Sequence, residues 1–195
     1  MKYVLVTGAP GSKWSSVVKN IYWSDSIDHS DYSKDREYRH DADTPGISHL
    51  MHIGAYWDPG MEFETDNWDG PFSGTGVRII KSHTFAHQLN QLKNTGYPIV
   101  LVYRNDYECI NWWVKCGEFN ITYPLYNDYY KDLINMWEQI KLQNRDILDF
   151  LNNNNTRISK IKNNLELCNI LGITSNGVTS EHQYYEKDVQ VYVYK

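Results

Sequence analysis

Residues 3–13 read Tyr-Val-Leu-Val-Thr-Gly-Ala-Pro-Gly-Ser-Lys, and this stretch indicates the class of fold. Its first half is a short apolar run with β-branched side chains, which is typical of a buried strand in a parallel sheet. Gly8 and Gly11 then permit a tight turn, and the apolar spacing over residues 14–23 predicts a helix. At such a junction, backbone N–H groups and the positive end of the helix dipole face an anion. The stretch therefore predicts a phosphate-binding loop of the P-loop type.

The predicted phosphate ligands lie within this loop and just after it. Glycines allow the backbone to approach a phosphate closely, a lysine adds a positive charge, and serines add hydroxyl donors. The residues concerned are Gly8, Gly11, Ser12, Lys13, Trp14, Ser15 and Ser16. The alternative interpretation is a tight strand–helix turn in which the lysine occurs by chance.

Strand and helix patterns alternate along the rest of the chain. Strands are predicted at 77–81, 97–103 and 188–194, the last as a half-exposed edge strand, and helices at 84–93, 106–115, 123–151 and 158–171. Such alternation predicts an α/β fold, of the P-loop type with three layers, in which helices flank a mainly parallel central sheet. We expect a single domain over residues 1–195. Residues 24–76 are interpreted as a long irregular insertion that forms a lid on the acceptor side, with an oligomer contact or a surface loop as alternatives.

Charge and composition exclude several classes of function. The 195 residues carry a formal net charge of −5, which argues against nucleic-acid binding because neutralising phosphates requires a basic surface. No export signal or apolar run of membrane-spanning length is visible, so no membrane partner is expected. Cys109, Cys116 and Cys168 form no Cys-x-x-Cys pair, which favours reduced thiols in a cytoplasmic protein and no zinc. The many asparagines favour a viral or an AT-rich bacterial source, and for a virus the cytoplasm would be that of the infected host cell.

The loop departs from the motif of the P-loop nucleotidases, which is Gly, four residues, then Gly-Lys-Ser/Thr. Lys13 comes one position early, and Trp14 follows it where the Mg²⁺-binding hydroxyl would stand. The strand at 97–103 is followed by Arg104, where these enzymes place a metal-binding aspartate, and Asp106 comes two residues late. Hydrolysis of ATP or GTP with Mg²⁺ is therefore disfavoured.

Three segments resemble, in order, the motifs of the sulfotransferases that use 3′-phosphoadenosine-5′-phosphosulfate. Val6-Thr-Gly-Ala-Pro-Gly-Ser12 resembles the 5′-phosphosulfate loop, usually Pro-Lys/Arg-Ser-Gly-Thr-Thr. Lys81-Ser-His83 is similar to the Lys-Thr-His that precedes a helix in the cytosolic branch. Val102-Tyr-Arg-Asn105 is similar to the Arg-Asn-Pro of the 3′-phosphate site. The resemblance covers about residues 3–115, and it implies the P-loop fold.

The chain also departs from the family pattern at both phosphate sites. Gly11 replaces the Lys or Arg of the loop, and Lys13 stands where glycine is usual. Asp106 replaces the proline of the second site, and Trp112 falls at the serine that shares the 3′-phosphate with the arginine. No glycine-rich basic segment near the C-terminus resembles the family's adenine and 3′-phosphate clamp.

The resemblance implies a role for each matching residue. His83 would be the base that accepts the proton of the acceptor hydroxyl, and Lys81 and Lys13 would offset charge near the sulfonate and the bridging oxygen. Arg104 would bind the 3′-phosphate, while the loop would hold the 5′-phosphate. The implied donor is 3′-phosphoadenosine-5′-phosphosulfate, with adenosine 3′,5′-bisphosphate as product and no metal. The acceptor would be a hydroxyl of a small molecule or a glycan.

Two alternatives remain open at this point. The altered loop, Trp112 and the missing C-terminal clamp favour a non-catalytic P-loop relative that acts as a binding or interaction module. A nucleotide kinase with a degenerate loop is the third interpretation. The sequence leaves the oligomeric state open.

Overall fold

The computed structural model describes residues 1–33, 37–39, 50–53, 67–115, 131–176 and 188–195. Its strands are β1 (Tyr3–Gly8), β2 (Glu37–Arg39), β3 (Leu50–Ile53), β4 (Arg78–Lys81), β5 (Ile99–Arg104), β6 (Ile158–Ile161) and β7 (Val189–Tyr194). Its α-helices are α1 (Trp14–Tyr22), α2 (Leu89–Leu92), α3 (Asp106–Lys115), α4 (Leu133–Asn153) and α5 (Asn164–Leu171). Short 3₁₀ helices at Thr84–Gln88 and Lys93–Thr95 flank α2, and a third, Asn155–Arg157, precedes β6.

The central sheet has five strands in the order β4-β1-β5-β7-β6. β1 is parallel to β4 and to β5, whereas β7 is antiparallel to both β5 and β6. The fold is therefore α/β, but the prediction of a mainly parallel sheet is wrong, because the sheet is mixed. Alternation of strands and helices gives a parallel sheet only if each connection brings the chain back to the same end of the sheet before the next strand begins. The chain leaving α5 instead enters β7 from the opposite end.

Two local predictions near the C-terminus are also wrong. The segment predicted as an edge strand lies inside the sheet, between β5 and β6. Its outer neighbour β6 was predicted to be helical because Ile158 and Ile161 are three residues apart, which suits a helix as well as a strand. The helix that follows is consequently shorter than predicted, but it does end at Gly172, which adopts the left-handed conformation at φ 69°.

Helices cover both faces of the sheet because the side chains of each strand alternate between two cores. On one face, Val4 and Val6 of β1 pack with side chains of α1 and α5. On the other face, Tyr3 and Leu5 pack with the region of α2 and with α4. Each fully buried aliphatic side chain contributes about 1.5–3 kcal/mol to stability. The two cores fix β1 at the centre of the molecule and its carboxyl end at one edge of the sheet.

The insertion predicted at 24–76 is only partly within the described residues. There it contains the antiparallel pair β2 and β3, where the sequence predicted irregular structure. Its two ends meet at Arg78, which donates hydrogen bonds to Asp28 and to Asp69. The predicted lid includes 34–36, 40–49 and 54–66, which lie outside the described residues, as do 123–130 of the predicted long helix and Cys116.

A search of the described ranges for a helix of sufficient length and apolarity to cross a membrane finds none.

Candidate functional site

The loop between β1 and α1 lies where the order of the strands in the sheet reverses. From β1 the chain passes to β4 on one side, and from β4 it passes to β5 on the other side. Ligands of α/β proteins bind at the carboxyl ends of strands at such a point. His83, just after β4, has Nδ1 2.6 Å from the Gly8 carbonyl oxygen, and Arg104 at the end of β5 donates from Nη1 to the Gly11 carbonyl oxygen at 3.0 Å. The structure thus brings the three predicted segments together.

Gly11 lets the loop pack directly against α3. Its φ is +77°, and a Cβ at this position would lie 2.1 Å from the carbonyl oxygen of Cys109. Any side chain here would therefore push the loop away from the helix. The Lys or Arg that the family pattern has at this position could not fit with this backbone, which explains the glycine in physical terms.

Lys13 adopts a backbone conformation that L-residues disfavour. Its φ is 66° and its ψ is 19°, in the left-handed region, just before α1 begins at Trp14. This is the position at which the resembling family has glycine, so the loop has the backbone shape that a glycine would favour. Partial burial, and then the charge of Arg104, lower the pKa of the lysine ammonium. Its Nζ lies 5.0 Å from the centroid of the Trp112 ring.

Lys13→Gly should raise the free energy of unfolding by about 1 kcal/mol, because glycine enters the left-handed region without the steric cost of a Cβ. Lys13→Ala is the matched control, since it removes the same charge and keeps the strained backbone. We expect alanine to give no gain in urea-induced unfolding. Equal stabilities of the two variants would contradict the strain at this position.

Ser12 is the most unusual polar residue of the loop. Its side chain is fully buried, and its Oγ has no hydrogen-bond partner in the part of the chain that the structure describes. A Cβ placed on Gly8 would lie 2.6 Å from this oxygen, so the hydroxyl sits under the glycine turn. A buried hydroxyl without a partner is rare and costs stability. It lies beside the start of α1, whose first N–H groups lack partners within the helix.

The remaining loop residues differ in how deeply they are buried. Ser15 and Ser16 are half-buried in the first turn of α1, where the positive end of the helix dipole favours an anion. The Ser16 N–H already donates to the Lys13 carbonyl at 3.0 Å. Trp14 is buried, and its ring lies 4.4 Å from the His83 ring, centroid to centroid. The Trp14 ring therefore packs against the histidine.

Lys81 and His83 lie side by side at the end of β4. Lys81 is only 3% exposed, and its Nζ stands 4.9 Å above the Trp14 ring centroid. His83 is 8% exposed. Because a carbonyl oxygen only accepts, its Nδ1 carries the proton that is shared with Gly8, and Nε2 holds the lone pair. Burial lowers the pKa of His83 to about 3, the hydrogen bond to Gly8 acts against this, and Lys81 lowers the pKa further. The imidazole is therefore neutral at pH 7.

The guanidinium group of Arg104 is already hydrogen-bonded to a carboxylate of the protein. It is 4% exposed, and its Nε and Nη2 donate to the same Asp188 Oδ2 at 2.9 and 2.5 Å. Nη2 also lies 3.5 Å from Glu108 Oε2. The backbone carbonyl of Arg104 accepts from Asn144 Nδ2 at 2.8 Å.

Sequence reasoning missed three of these partners: Asp188, Glu108 and Asn144. Glu108 was the easiest of the three to predict, because it follows Arg104 at the (i, i+4) spacing that pairs charges on a helix. Asp188 had no local signal, because 84 residues separate it from the arginine.

The described residues contain no group of three or more His, Cys, Asp or Glu side chains arranged to hold a metal ion. Cys109 and Cys168 are buried free thiols, and burial raises the pKa of Cys109 to about 12. Neither thiol is therefore a nucleophile at neutral pH.

No protein-family model, curated protein or solved structure matches the chain.

Proposed function

We propose that the protein is a P-loop sulfotransferase that holds the 5′-phosphosulfate of 3′-phosphoadenosine-5′-phosphosulfate in the loop between β1 and α1. It transfers sulfonate to a hydroxyl of a small molecule or a glycan. The observation that carries the proposal is the buried hydroxyl of Ser12, which has no partner among the described residues and lies beneath the turn at Gly8, beside the start of α1. A hydroxyl close to the N–H groups at the start of a helix is suited to bind an oxyanion. Because water does not reach this hydroxyl, a small movement of the loop accompanies anion binding.

The cations around the loop suit a strongly charged ligand. Lys13 flanks the loop on the side of α3, over Trp112, and Lys81 flanks it on the side of β4, over Trp14. Both lysines are at least partly buried, where a positive charge acts on an anion more strongly than it does in water. In this proposal Ser12, Ser15 and backbone amides hold the 5′-phosphate, and the two lysines offset charge on the sulfonate and the bridging oxygen.

His83 is the proposed base. Its proton is held on Nδ1 by the Gly8 carbonyl, so Nε2 is the nitrogen that accepts the proton of the acceptor hydroxyl. A base with a pKa of about 3 is weak. A bound dianion nearby raises the pKa, because the negative charge stabilises the imidazolium. The donor therefore supplies both the sulfonate and the negative charge that makes His83 more basic when the donor is bound.

The non-catalytic binding module is the second candidate, and the contact of Arg104 with Asp188 favours it, since this arginine is already engaged. The two candidates differ in turnover. Sulfonate transfer that disappears in His83→Ala would eliminate the binding module. Nucleotide binding without turnover in the presence of many hydroxyl acceptors would favour it.

Ser12→Ala should weaken binding of adenosine 3′,5′-bisphosphate by about tenfold, as expected for the loss of one hydrogen bond to a charged group. The same change should leave stability equal or slightly higher, because it removes a buried oxygen for which the described part of the chain offers no partner. Isothermal titration and thermal unfolding measure the two effects.

Ser24→Ala is the matched control. Ser24 is as buried as Ser12, but its Oγ donates to the Thr174 carbonyl at 2.7 Å, away from the loop. We expect this variant to lose about 1 kcal/mol of stability and to bind the nucleotide as the wild type does. No binding by the wild type at millimolar ligand would overturn the proposed function. Unchanged binding by Ser12→Ala would remove the observation on which it rests.

A further inference from the structure

The guanidinium of Arg104 already holds one anionic oxygen. Nε and Nη2 both donate to Asp188 Oδ2, at 2.9 and 2.5 Å, while Nη1 donates to the Gly11 carbonyl at 3.0 Å. A single oxygen between two N–H groups of an arginine is an arrangement that a phosphate oxygen also adopts. Asp188 therefore occupies the place that a phosphate on Arg104 would need.

From this contact, and resting on the proposed function, we propose that Asp188 is a specificity-determining residue. Its carboxylate competes with the 3′-phosphate of the donor for Arg104, and so reduces what that phosphate contributes to binding. The 5′ half of the nucleotide then supplies most of the affinity.

The charges around Arg104 support this competition. Burial alone would raise the pKa of Asp188, but hydrogen bonds from Arg104 and the charges of Arg104 and Lys13 outweigh it and lower the pKa. The carboxylate is therefore ionised at neutral pH. Glu108 Oε2, 3.5 Å from Nη2, adds a second negative charge. The positive charges of Arg104 and Lys13 are thus balanced by two carboxylates, which leaves no excess positive charge for a phosphate dianion.

The Asp188 side chain nevertheless has room to move away from Arg104. Its side chain is 32% exposed, whereas that of Arg104 is 5% exposed. The carboxylate can therefore turn towards water while the arginine stays in place. Since the contact is an exchange of one anion for another, its cost falls on the 3′-phosphate.

The experiment compares two nucleotides that differ only in the 3′-phosphate, adenosine 5′-monophosphate and adenosine 3′,5′-bisphosphate. Isothermal titration of the wild type should give affinities that differ by less than about tenfold, because an open charged fork would contribute about tenfold to a hundredfold. Asp188→Asn keeps the shape and removes the charge, and it should increase the ratio of the two affinities by about tenfold. Glu108→Gln is the matched control, since it removes a neighbouring charge without the short contact. We expect its ratio to stay within about threefold of wild type.

The outcomes separate the two proposals. A wild-type ratio of the two affinities above about tenfold would overturn the role of Asp188, and this measurement needs no variant. A ratio in Asp188→Asn that stays the same, or falls because the arginine has lost its support, would also overturn it while the proposed function stands. Failure of all three proteins to bind either nucleotide at millimolar concentration would overturn the proposed function and this inference together.

Discussion

Gly11→Ala should destabilise the protein by about 3–5 kcal/mol, the sum of a severe backbone clash and left-handed strain. The added Cβ would lie 2.1 Å from the Cys109 carbonyl oxygen and 2.8 Å from its carbonyl carbon. These are backbone atoms of α3, so neither can turn aside as the end of a side chain would. The loop must move, and the hydrogen bond from Arg104 to the Gly11 carbonyl would be lost with it.

Two other glycines provide controls for the strain alone. Gly96 and Gly172 have φ of +74° and +69°, close to the +77° of Gly11, but a Cβ on either would meet nothing within 4 Å among the described residues. Alanine at these positions should cost about 1 kcal/mol, the cost of the left-handed conformation without a clash. Urea-induced unfolding followed by tryptophan fluorescence measures all three. If Gly11→Ala is no worse than the controls, the loop does not pack on α3 as described.

The elements that the sequence predicted best are those set by local pattern. β1, β5, α1 and α3 are continuous apolar runs or helical periods with glycine or polar boundaries, and the structure has all four at nearly the predicted bounds. The helix predicted over β6 and the edge position predicted for β7 were wrong, although β7 is a strand as predicted, because strand pairing depends on distant partners. β7 bonds to β5, about 90 residues earlier in the chain, and no periodicity carries that information.

In the candidate site, too, the features set by local pattern could be predicted and those set by distant contacts could not. Convergence of the segments at 81–83 and 104 on the loop could be predicted, because the carboxyl ends of neighbouring parallel strands share one edge of a sheet. The hydrogen bonds of Arg104 could not be predicted, since Asp188 lies just before β7 and 84 residues away in the chain. The only sequence signal for the left-handed backbone at Lys13 was the glycine that the sulfotransferase motif has at this position. The depth at which His83 is buried depends on Trp14 and on the turn at Gly8, and thus on packing.

The burial of His83 has a large effect on stability below neutral pH. Its pKa is about 3 in the folded protein, against an ordinary value of 6.5 that we assign to the unfolded chain. Between these two values the unfolded chain binds one proton more than the folded protein, so stability falls as the pH falls. Between pH 6.5 and 5 the wild type should lose about 2 kcal/mol through this residue.

His83→Asn is the variant that isolates this loss. The asparagine amide can donate to the Gly8 carbonyl as Nδ1 does, but it does not titrate. Asp28, Asp69 and Asp188 all have lowered pKa values, so their protonation lies below this range and is common to both proteins. The difference between the two unfolding free energies, measured in urea at intervals from pH 7.5 to 5, should therefore change by about 1.4 kcal/mol per pH unit below 6.5. Parallel curves would show that His83 gains a proton as easily when folded as when unfolded. Saturating adenosine 3′,5′-bisphosphate should reduce the difference, because an anion bound beside the imidazole raises its pKa. That coupling would link the buried histidine to the loop at Ser12, and its absence would place the anion elsewhere.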